Sequence, residues 1–222
     1  MKHNIIIIGT GGHSSVVLDA IESSNSYEII GFIDCCKPIG EPFFNYKVLG
    51  SLAEIHTLSS KYNSPYFFIA VGEPNTREKI HDKITEIHPT IKYATIIHNN
   101  ATVSNKTVIE EGSVIMAGSI ISANSRIGRH CVINHICNLD HDSILEDYVS
   151  LSPGVVVGGN CTIGNGAFIG ISSTIRERIK LGKNCVIGAG SLVLKNIPEN
   201  IIAFGSPARV IKKRTYGEHI FK

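Results

Sequence analysis

The chain has 222 residues, enough for one large domain or two small ones, and a formal net charge of +2 at pH 7. This near-neutral balance provides no basic surface of the kind that nucleic acids require. No apolar run reaches the roughly 18 residues of a membrane span, and the four isoleucines near the start are too few for a signal-peptide core. The sequence therefore predicts a cytoplasmic protein with no nucleic-acid or membrane partner.

Residues 1–95 alternate apolar strands with helical patterns, which predicts a small parallel sheet covered by helices. The strands are short and buried in character, and each is followed by a turn rich in glycine or polar residues. In chain order the predicted elements are a strand over Asn4–Gly9, a helix over Ser14–Ser24, a strand over Glu28–Asp34, a strand over Tyr66–Val71 and a helix from about Thr76 to His88.

The turn after the first strand, Gly9-Thr10-Gly11-Gly12-His13, and the acid that ends the second strand follow the Rossmann nucleotide-binding pattern. Ser14 stands near the place of the third glycine, and 95 residues hold only half of a dinucleotide fold. The pattern therefore favours a nucleoside diphosphate, with phosphate at the amides of Gly11 and Gly12 and with Asp34 on the ribose or base. A glycine turn without a ligand is the alternative.

The six cysteines lack the spacing of a metal-binding knuckle. Cys35 and Cys36 are adjacent, whereas Cys131, Cys137, Cys161 and Cys185 are separated by multiples of six. Free, buried thiols are expected, and the sequence predicts no metal cofactor.

The second part of the chain has a six-residue repeat that begins at Ile97. Seventeen successive positions are Ile, Leu or Val, although these types make up only 61 of the 222 residues. The positions are Ile97, Val103, Ile109, Ile115, Ile121, Ile127, Ile133, Leu139, Leu145, Leu151, Val157, Ile163, Ile169, Ile175, Leu181, Ile187 and Val193. A period of six is neither helical nor that of a simple strand. It predicts a coil with flat faces, three to a turn of 18 residues.

The residue four places after each of these positions is usually small, and all four cysteines of this region fall there. We therefore expect one large and one small side chain to point inward from each face. This pattern resembles that of the hexapeptide-repeat acyltransferases, which implies a left-handed parallel β-helix and a homotrimer. The resulting fold class is an α/β Rossmann-like half domain over residues 1–95, followed by a left-handed β-helix and a tail over residues 96–222.

His141 is the third residue of the hexapeptide that begins at Leu139, so its side chain should project outward. One coil below and above it lie Ala123 and Gly159, which leave a gap over the imidazole. An imidazole titrates near neutral pH and suits proton removal during acyl transfer from a thioester. Asp142 is placed to orient the ring, and Gly159 is the candidate amide for the thioester oxygen.

Five motifs extend the resemblance to sugar acetyltransferases related to sialic acid O-acetyltransferases and bacterial UDP-4-amino-sugar N-acetyltransferases. The motifs are IIIIGTGGHSSVV, FID, AVGEPNTR, INHICNLDHDS and GSPARVIKK. The resemblance implies that His141 is the general base with Asp142 as its partner, that His13 lies by the sugar nucleotide, and that Asn134 contacts substrate.

The same resemblance implies that Gly205, Pro207 and Ala208 line a coenzyme A cleft between subunits. We also expect Gly72 to contact the substrate. Ser150, Gly159 and Gly188 are expected to lie near acetyl-CoA. The basic residues Lys212, Lys213 and Arg214 follow the last motif and could meet coenzyme A phosphates. Ser150 departs from the family, which often has a histidine there, and Asp34 is followed by two cysteines where the family often has a second acid.

The predicted function is acetyl-CoA-dependent N-acetylation of a UDP- or GDP-linked 4-amino-4,6-dideoxy sugar for surface glycan synthesis. The first alternative is O-acetylation of sialic acid or a related sugar. A zinc carbonic-anhydrase-like hydratase is a further alternative, because His130 and His135 have the spacing of that family's histidine pair. The last alternative is a nucleotide-binding module that has no catalytic activity.

Overall fold

The computed structural model describes residues 2–215 and 217–220. Its first part is an α/β unit in which the predicted strands and helices alternate. The elements are β1 (His3–Ile8), α1 (Gly12–Ser24), β2 (Tyr27–Ile33), β3 (Pro42–Phe43), β4 (Tyr46–Gly50), a 3-10 turn (Leu52–Glu54), α2 (Ile55–Lys61), β5 (Tyr66–Ile69), α3 (Pro74–Ile87) and β6 (Lys92–Tyr93).

The front sheet has the strand order β3-β4-β2-β1-β5-β6 and is parallel except for the β3–β4 hairpin. Strand β1 is central, with parallel partners β2 and β5 on its two sides, and Ile5–Ile8 are buried. The loops that follow β1, β2 and β5 therefore leave the same edge of the sheet. Ligands of open parallel sheets bind in the crevice at that edge.

The front unit departs from the sequence-based expectation in two ways. Helix α3 begins at Pro74 rather than near Thr76. Proline is compatible with the first helical turn, because backbone N–H groups there make no hydrogen bond within the helix. The hairpin of β3 and β4 and the short helix α2 were not predicted. Their sequences are too short for a periodic pattern to identify them.

The second part is a left-handed β-helix built from strands of two residues each. Face one consists of β7 (Ile96–Ile97), β10 (Val114–Ile115), β13 (Val132–Ile133), β16 (Ser150–Leu151), β19 (Phe168–Ile169) and β22 (Val186–Ile187). Face two consists of β8 (Thr102–Val103), β11 (Ile120–Ile121), β14 (Asn138–Leu139), β17 (Val156–Val157), β20 (Thr174–Ile175) and β23 (Leu192–Val193). Face three consists of β9 (Val108–Ile109), β12 (Arg126–Ile127), β15 (Ile144–Leu145), β18 (Thr162–Ile163) and β21 (Lys180–Leu181).

The register of these strands confirms the predicted coil. Val114 pairs with Val132 and Val132 pairs with Ser150, so each coil takes 18 residues. Fourteen of the seventeen repeat positions, from Ile115 onward, are buried. Ile97 is 37% exposed, because the first coil has no coil beneath it.

The cysteine prediction is correct for the β-helix and wrong for the front unit. Cys131, Cys137, Cys161 and Cys185 are buried in the small inward positions, and all are free. The adjacent pair Cys35 and Cys36 is exposed, because it lies in the loop after β2 and not in a packed strand.

Arg77 of α3 joins the front unit to the β-helix. Its guanidinium is completely buried, and its five N–H groups meet five acceptors. Nε donates to the His130 carbonyl at 2.7 Å, and Nη1 donates to the carbonyls of Val71 and Gly72 at 2.8 and 3.1 Å. Nη2 donates to the Tyr148 carbonyl and to Ser150 Oγ, both at 2.9 Å.

An apolar cluster completes the contact between the two parts. Ile5, Ile7 and Val17 of the front unit pack in one buried group with Val114 and Val132 of face one. The C-terminal end of α1 also bonds to the first coil, where the Asn99 amide donates to Ser23 Oγ at 3.3 Å. The front sheet is therefore fixed on face one.

The β-helix ends in an antiparallel hairpin of β24 (Ile201–Gly205) and β25 (Ala208–Lys213). The tail after it returns to the front unit, where the Ile220 amide and His219 Nδ1 both meet the Glu73 carboxylate at 3.0 Å. Arg214 is buried and donates to the Glu218 carbonyl at 2.7 Å, so it is not free to meet a phosphate. Among the residues described here, no helix has the length and apolar character needed to cross a membrane.

We predict that Ile163→Ala lowers the free energy of unfolding by about 2–5 kcal/mol, because it removes a fully buried side chain from the β-helix interior. Ile97→Ala is the matched control. It truncates the same residue type at the partly exposed first coil and should cost under about 1 kcal/mol. Denaturant unfolding at one fixed protein concentration measures both, and equal losses would contradict the predicted packing.

We also predict that Arg77→Met destabilises the protein by at least about 3 kcal/mol, because it leaves several buried acceptors without donors. Arg126→Met is the control. Arg126 makes an exposed ion pair with Glu110 at 2.5 Å, and such pairs contribute about 0–1 kcal/mol. The same unfolding measurement compares the two variants, and equal stability of Arg77→Met and Arg126→Met would refute this account of Arg77.

Candidate functional site

A pocket of about 520 Å³ lies at the edge of the front sheet where β1, β2 and β5 end. Gly11, Gly12, His13, Asp34 and Gly72 all line it, so the structure brings together five of the predicted substrate-binding residues. Helix α1 begins at Gly12 without a side-chain cap, and a Cβ added at Gly11 or Gly12 would meet nothing within 4 Å. The first amides of α1 are therefore open to an anion.

The carboxylate of Asp34 accepts three hydrogen bonds from the protein itself. Oδ2 accepts from the Thr10 amide at 2.9 Å and from Thr10 Oγ1 at 2.6 Å, and Oδ1 accepts from the Cys36 amide at 2.8 Å. Partial burial alone would raise the pKa of Asp34, but these hydrogen bonds hold it below its ordinary value. Asp34 thus fixes the glycine turn, and its contact with a ribose or base stays a prediction.

A second cavity, which we call the groove, has about 660 Å³ and runs between the front unit and face one. It contains Asn134, Ser150 and Gly188, and its walls are mostly apolar. His13 and Gly72 line both the groove and the front pocket, so the two cavities are continuous. The Asn134 amide donates to the Leu151 carbonyl at 3.1 Å, which fixes its side chain beside the groove.

His13 lies at the junction of the two cavities as a neutral imidazole. Burial lowers its pKa to about 4, with smaller contributions from the positive charges of Arg77 and His135. Its Nε2 is buried and has no hydrogen-bond partner among the described residues. A neutral ring with an unused nitrogen can donate to or accept from a ligand that passes from one cavity to the other.

Ser150 is buried at the floor of the groove, where its hydroxyl accepts from Arg77 Nη2 at 2.9 Å. The hydroxyl therefore serves the contact between the two parts of the molecule. Its assignment to the acetyl-CoA site remains a prediction.

His141 lies on the side of the β-helix opposite face one, at the corner between faces two and three. Its imidazole is exposed, as expected. Nδ1 is 2.7 Å from Asp142 Oδ2. An ionised carboxylate can only accept, so Nδ1 carries the proton and Nε2 of the neutral ring keeps its lone pair. Asn124 Nδ2 donates to the other Asp142 oxygen at 3.3 Å and so helps to hold this acid.

The gap over the imidazole depends on Gly159. A Cβ added there would lie 2.7 Å from His141 Nε2, closer than real contacts allow. The absence of a side chain therefore leaves the basic nitrogen open to a reactant. This notch has about 500 Å³, and Glu177 and Arg178 also line it.

The electrostatics of the notch favour the charged imidazole. The hydrogen bond that His141 donates to Asp142 raises the pKa of His141, and the negative charge of Asp140 adds to it. The same hydrogen bond lowers the pKa of Asp142, and a second one from Asn124 contributes. The pair can accept a proton at Nε2 and hold the resulting imidazolium beside a carboxylate.

The predicted site residues form two groups within one chain. The front pocket and the groove contain the predicted substrate-binding residues together with Ser150 and Gly188, whereas the notch contains His141 and Gly159, with Asp142 bonded to His141. No lining residue is common to the groove and the notch. Gly205, Pro207 and Ala208 lie at the turn of the terminal hairpin and line none of the three cavities.

The two histidines of the carbonic-anhydrase alternative differ in burial, His130 being buried and His135 partly exposed. His130 is buried, with its ring stacked on Tyr148 at 5.5 Å, and burial lowers its pKa to about 2. His135 lies at the next corner, close enough to influence the pKa of His13. Among the described residues, the only group of three potential metal ligands is Asp34, Cys35 and Cys36.

Sequence reasoning missed Arg77 and Glu73, and it missed Glu177 and Arg178 of the notch. Arg77 lies inside the motif AVGEPNTR, but nothing in a helical pattern distinguishes a buried arginine from an exposed one. Glu177 could have been found, since it lies one coil of 18 residues beyond Gly159.

Two family models match the chain. The PglD N-terminal domain matches residues 4–84, and the bacterial transferase hexapeptide model, with six repeats, matches residues 160–195. The curated relatives match only short segments. Galactoside O-acetyltransferase of Escherichia coli is 50% identical over 52 residues, and serine acetyltransferase 4 of Arabidopsis thaliana is 38% identical over 77 residues. These alignments span 26% and 22% of the two relatives.

Solved structures match almost the whole chain. PerB of Caulobacter crescentus, in complex with CoA and GDP-perosamine, has 27% identity and a TM-score of 0.87, with coverage of 94% of this chain and 97% of that one. The acetyltransferase domain of PglB from Neisseria gonorrhoeae, in complex with acetyl coenzyme A, has 29% identity and a TM-score of 0.87, with coverage of 95% and 100%. WeeI of Acinetobacter baumannii has 24% identity and a TM-score of 0.81 and shares the fold.

A PglD-type front domain, hexapeptide repeats and these full-length structural matches all agree with the motifs found in the sequence. The chain therefore resembles the PglD-like hexapeptide-repeat sugar acetyltransferases, and the solved relatives that hold coenzyme A or acetyl coenzyme A indicate an acetyl-CoA-dependent acyltransferase.

Proposed function

We propose that the protein N-acetylates the amine of a UDP- or GDP-linked 4-amino-4,6-dideoxy sugar in the cytoplasm, as a step in the synthesis of a bacterial surface glycan. The observation that carries this proposal is the continuity of the front pocket with the groove through His13 and Gly72. A nucleoside diphosphate in the pocket would direct its sugar into the groove.

In this proposal, residues 1–95 bind the nucleotide and residues 96–222 carry the transfer. The open amides of Gly11 and Gly12 at the start of α1 receive the diphosphate. Asn134 and the neutral ring of His13 border the path of the sugar and can form hydrogen bonds with its hydroxyl groups. Asp34 acts by holding the glycine turn through Thr10.

His141 acts as the general base. The sugar amine attacks the thioester carbon of acetyl-CoA, Nε2 takes the amine proton, and the thiol of coenzyme A leaves. Asp142 keeps the proton on Nδ1 and stabilises the imidazolium. The amide of Gly159 is the proposed donor to the oxygen of the tetrahedral intermediate.

The separation of groove and notch supports a homotrimer in which His141 of one subunit faces the groove of its neighbour. Within one chain, the histidine beside the groove entrance is the buried His13, whose low pKa makes it a weak base. An exposed imidazole next to a gap is suited to meet a second subunit. Gly205, Pro207 and Ala208 would then approach coenzyme A from the neighbouring terminal hairpin, with Ser150, Gly159 and Gly188 nearer the acetyl group.

The structural relatives favour nitrogen over oxygen as the acceptor atom. PerB covers almost this whole chain and is described with GDP-perosamine, an amino-sugar nucleotide, whereas galactoside O-acetyltransferase matches only a short segment. Acetyl transfer to a hydroxyl of sialic acid or a related sugar is the alternative. Its chemistry would use the same base.

The proposal is tested by incubating the full chain with acetyl-CoA and a panel of acceptors, with thiol release measured by a chromogenic reagent. The panel contains UDP- and GDP-linked 4-amino sugars, the matching 4-hydroxy nucleotide sugars, and free sialic acid. We expect turnover with an amino-sugar nucleotide at least about 100-fold above that with its hydroxyl counterpart. Turnover of sialic acid alone would establish the O-acetyl alternative.

We predict that His141→Ala lowers kcat about 100-fold or more, because it removes the base from the transfer step. His56→Ala is the control, since His56 is exposed on α2 and lines neither the front pocket, the groove nor the notch. Size-exclusion chromatography checks that assembly is unchanged. A variant at position 141 with near-normal kcat would remove this residue from the mechanism.

The pH dependence follows from the hydrogen bond between His141 and Asp142. The base must be neutral, so activity is lost as the pH falls through the raised pKa of His141. Asp142→Asn removes the main cause of that raised pKa, so the acidic limb of the kcat profile should move to lower pH while the maximum rate falls. A limb that stays in place, or moves to higher pH, would contradict the assignment.

We predict that Gly159→Ala abolishes most activity, because its methyl group would lie against His141 Nε2 and close the notch. The substitution places no new atoms in the front pocket, which Gly159 does not line, so affinity for the nucleotide sugar should be retained. Steady-state kinetics and calorimetry separate the two effects. Normal turnover in this variant would show that the notch is not where transfer occurs.

A further inference from the structure

The loop after β2 presents two adjacent thiols to solvent, and both line the front pocket. Cys35 Sγ and Cys36 Sγ are 3.5 Å apart. A carboxylate oxygen of Asp34 joins them, and the three potential ligand atoms lie within 4.8 Å of one another. The other four cysteines are buried inside the β-helix. Within residues 2–215 and 217–220, this pair is therefore the accessible pair of thiols.

The spacing of the two sulfur atoms suits a thiophilic cation. Zinc–thiolate bonds of about 2.3 Å in a tetrahedral arrangement separate two sulfur ligands by roughly 3.8 Å. The observed separation of 3.5 Å is close to that value, so both sulfurs can reach one ion with only small rotations of their side chains. Soft thiolates select zinc, and by the same preference cadmium, over magnesium or calcium.

The surroundings of the pair also favour a cation. Asp34 is held in position by Thr10 and by the Cys36 amide, so its charge is fixed next to the thiols. The neighbouring Lys37 is paired with Glu41 at 3.1 Å, which balances its positive charge. Nothing in this geometry has to unfold for an ion to reach the sulfur atoms, because both cysteines are exposed.

We propose that Cys35, Cys36 and Asp34 form a binding site for a thiophilic divalent cation, and that its occupation excludes a nucleoside diphosphate from the front pocket. Each thiol releases its proton to solvent when it binds the metal. Two thiolates and one carboxylate around a divalent ion carry a net charge of −1, which equals the charge of the metal-free site with two thiols and an ionised Asp34. The competition therefore rests on space, because the ion occupies part of a pocket that Gly11 and Gly12 also line. The second half of this inference rests on the proposed function.

The first experiment is a titration of the full chain with cadmium, followed by the thiolate-to-metal absorption band in the ultraviolet. We expect one cadmium ion per chain in the unaltered protein and loss of the band in the Cys35→Ser, Cys36→Ser double variant. Cys185→Ala is the control, because Ala167 already occupies the same inward position one coil earlier. No band in the unaltered protein, or a band that survives in the double variant, overturns the site.

The second experiment measures the affinity of the full chain for a UDP- or GDP-linked amino sugar by calorimetry, with and without saturating zinc. We expect affinity to fall at least about 10-fold with zinc and to recover with a chelator. The double variant should bind the sugar nucleotide equally with and without zinc.

The two experiments separate this proposal from the function on which it rests. Cadmium binding does not require any sugar nucleotide. If cadmium binds but zinc leaves the affinity unchanged, the competition is wrong. If no sugar nucleotide binds even without metal, the proposed substrate is wrong, and the cadmium result still decides whether the site exists.

Discussion

One buried guanidinium holds the two parts of this molecule in the arrangement on which its cavities depend. Arg77 donates to carbonyls from β5's loop and from two corners of the β-helix, and to the hydroxyl of Ser150. Burial lowers the pKa of Arg77 to about 10, so the group keeps its charge and all five donors at neutral pH. A charge buried without a carboxylate is tolerated only where every donor is satisfied. That requirement specifies a single docking geometry.

The docking geometry determines which loops become neighbours. Because Arg77 binds the carbonyl of Gly72, the loop after β5 is held against face one, where Ser150 and Asn134 lie. The tail strengthens the same loop through Glu73. The front pocket and the groove are therefore one continuous space. It is formed by two different structural units, the α/β front unit and the β-helix. The notch, in contrast, is formed by the β-helix alone. It requires only stacked coils and a glycine one coil beyond His141.

The β-helix and the His141 notch could be predicted from sequence because a repeat fixes the position of every side chain. Once six residues define a face, the neighbours of His141 above and below follow by counting, and the structure agrees. The front unit has no such rule. Asp34 fits the pattern of a ribose-binding acid, and that role stays a prediction. Its hydrogen bond from Thr10 could not be foreseen, because a threonine hydroxyl in the adjacent turn carries no distinctive signal.

Most of the remaining differences between expectation and structure concern contacts between residues far apart in the chain. Cys35 and Cys36 are an exception, since they were expected to be buried like the other four cysteines and lie in an exposed loop. Arg214 was expected to be a free tail charge, yet it is buried beside Asn184. The role of Arg77 depends on carbonyls more than 50 residues away, at His130 and Tyr148. Backbone acceptors leave no trace in side-chain patterns, so no motif could have revealed them.

The terminal hairpin also has a consequence for solubility. A stack of parallel strands ends in a row of unpaired backbone groups, which is a template for joining further chains edge to edge. Here β24 turns back through β25, whose direction is opposite to every other strand of face one. The outer strand ends in Lys212 and Lys213, both exposed, and on face three Pro198 follows the last bridge and lacks an N–H. Faces one and three are therefore protected against edge-to-edge growth at this end.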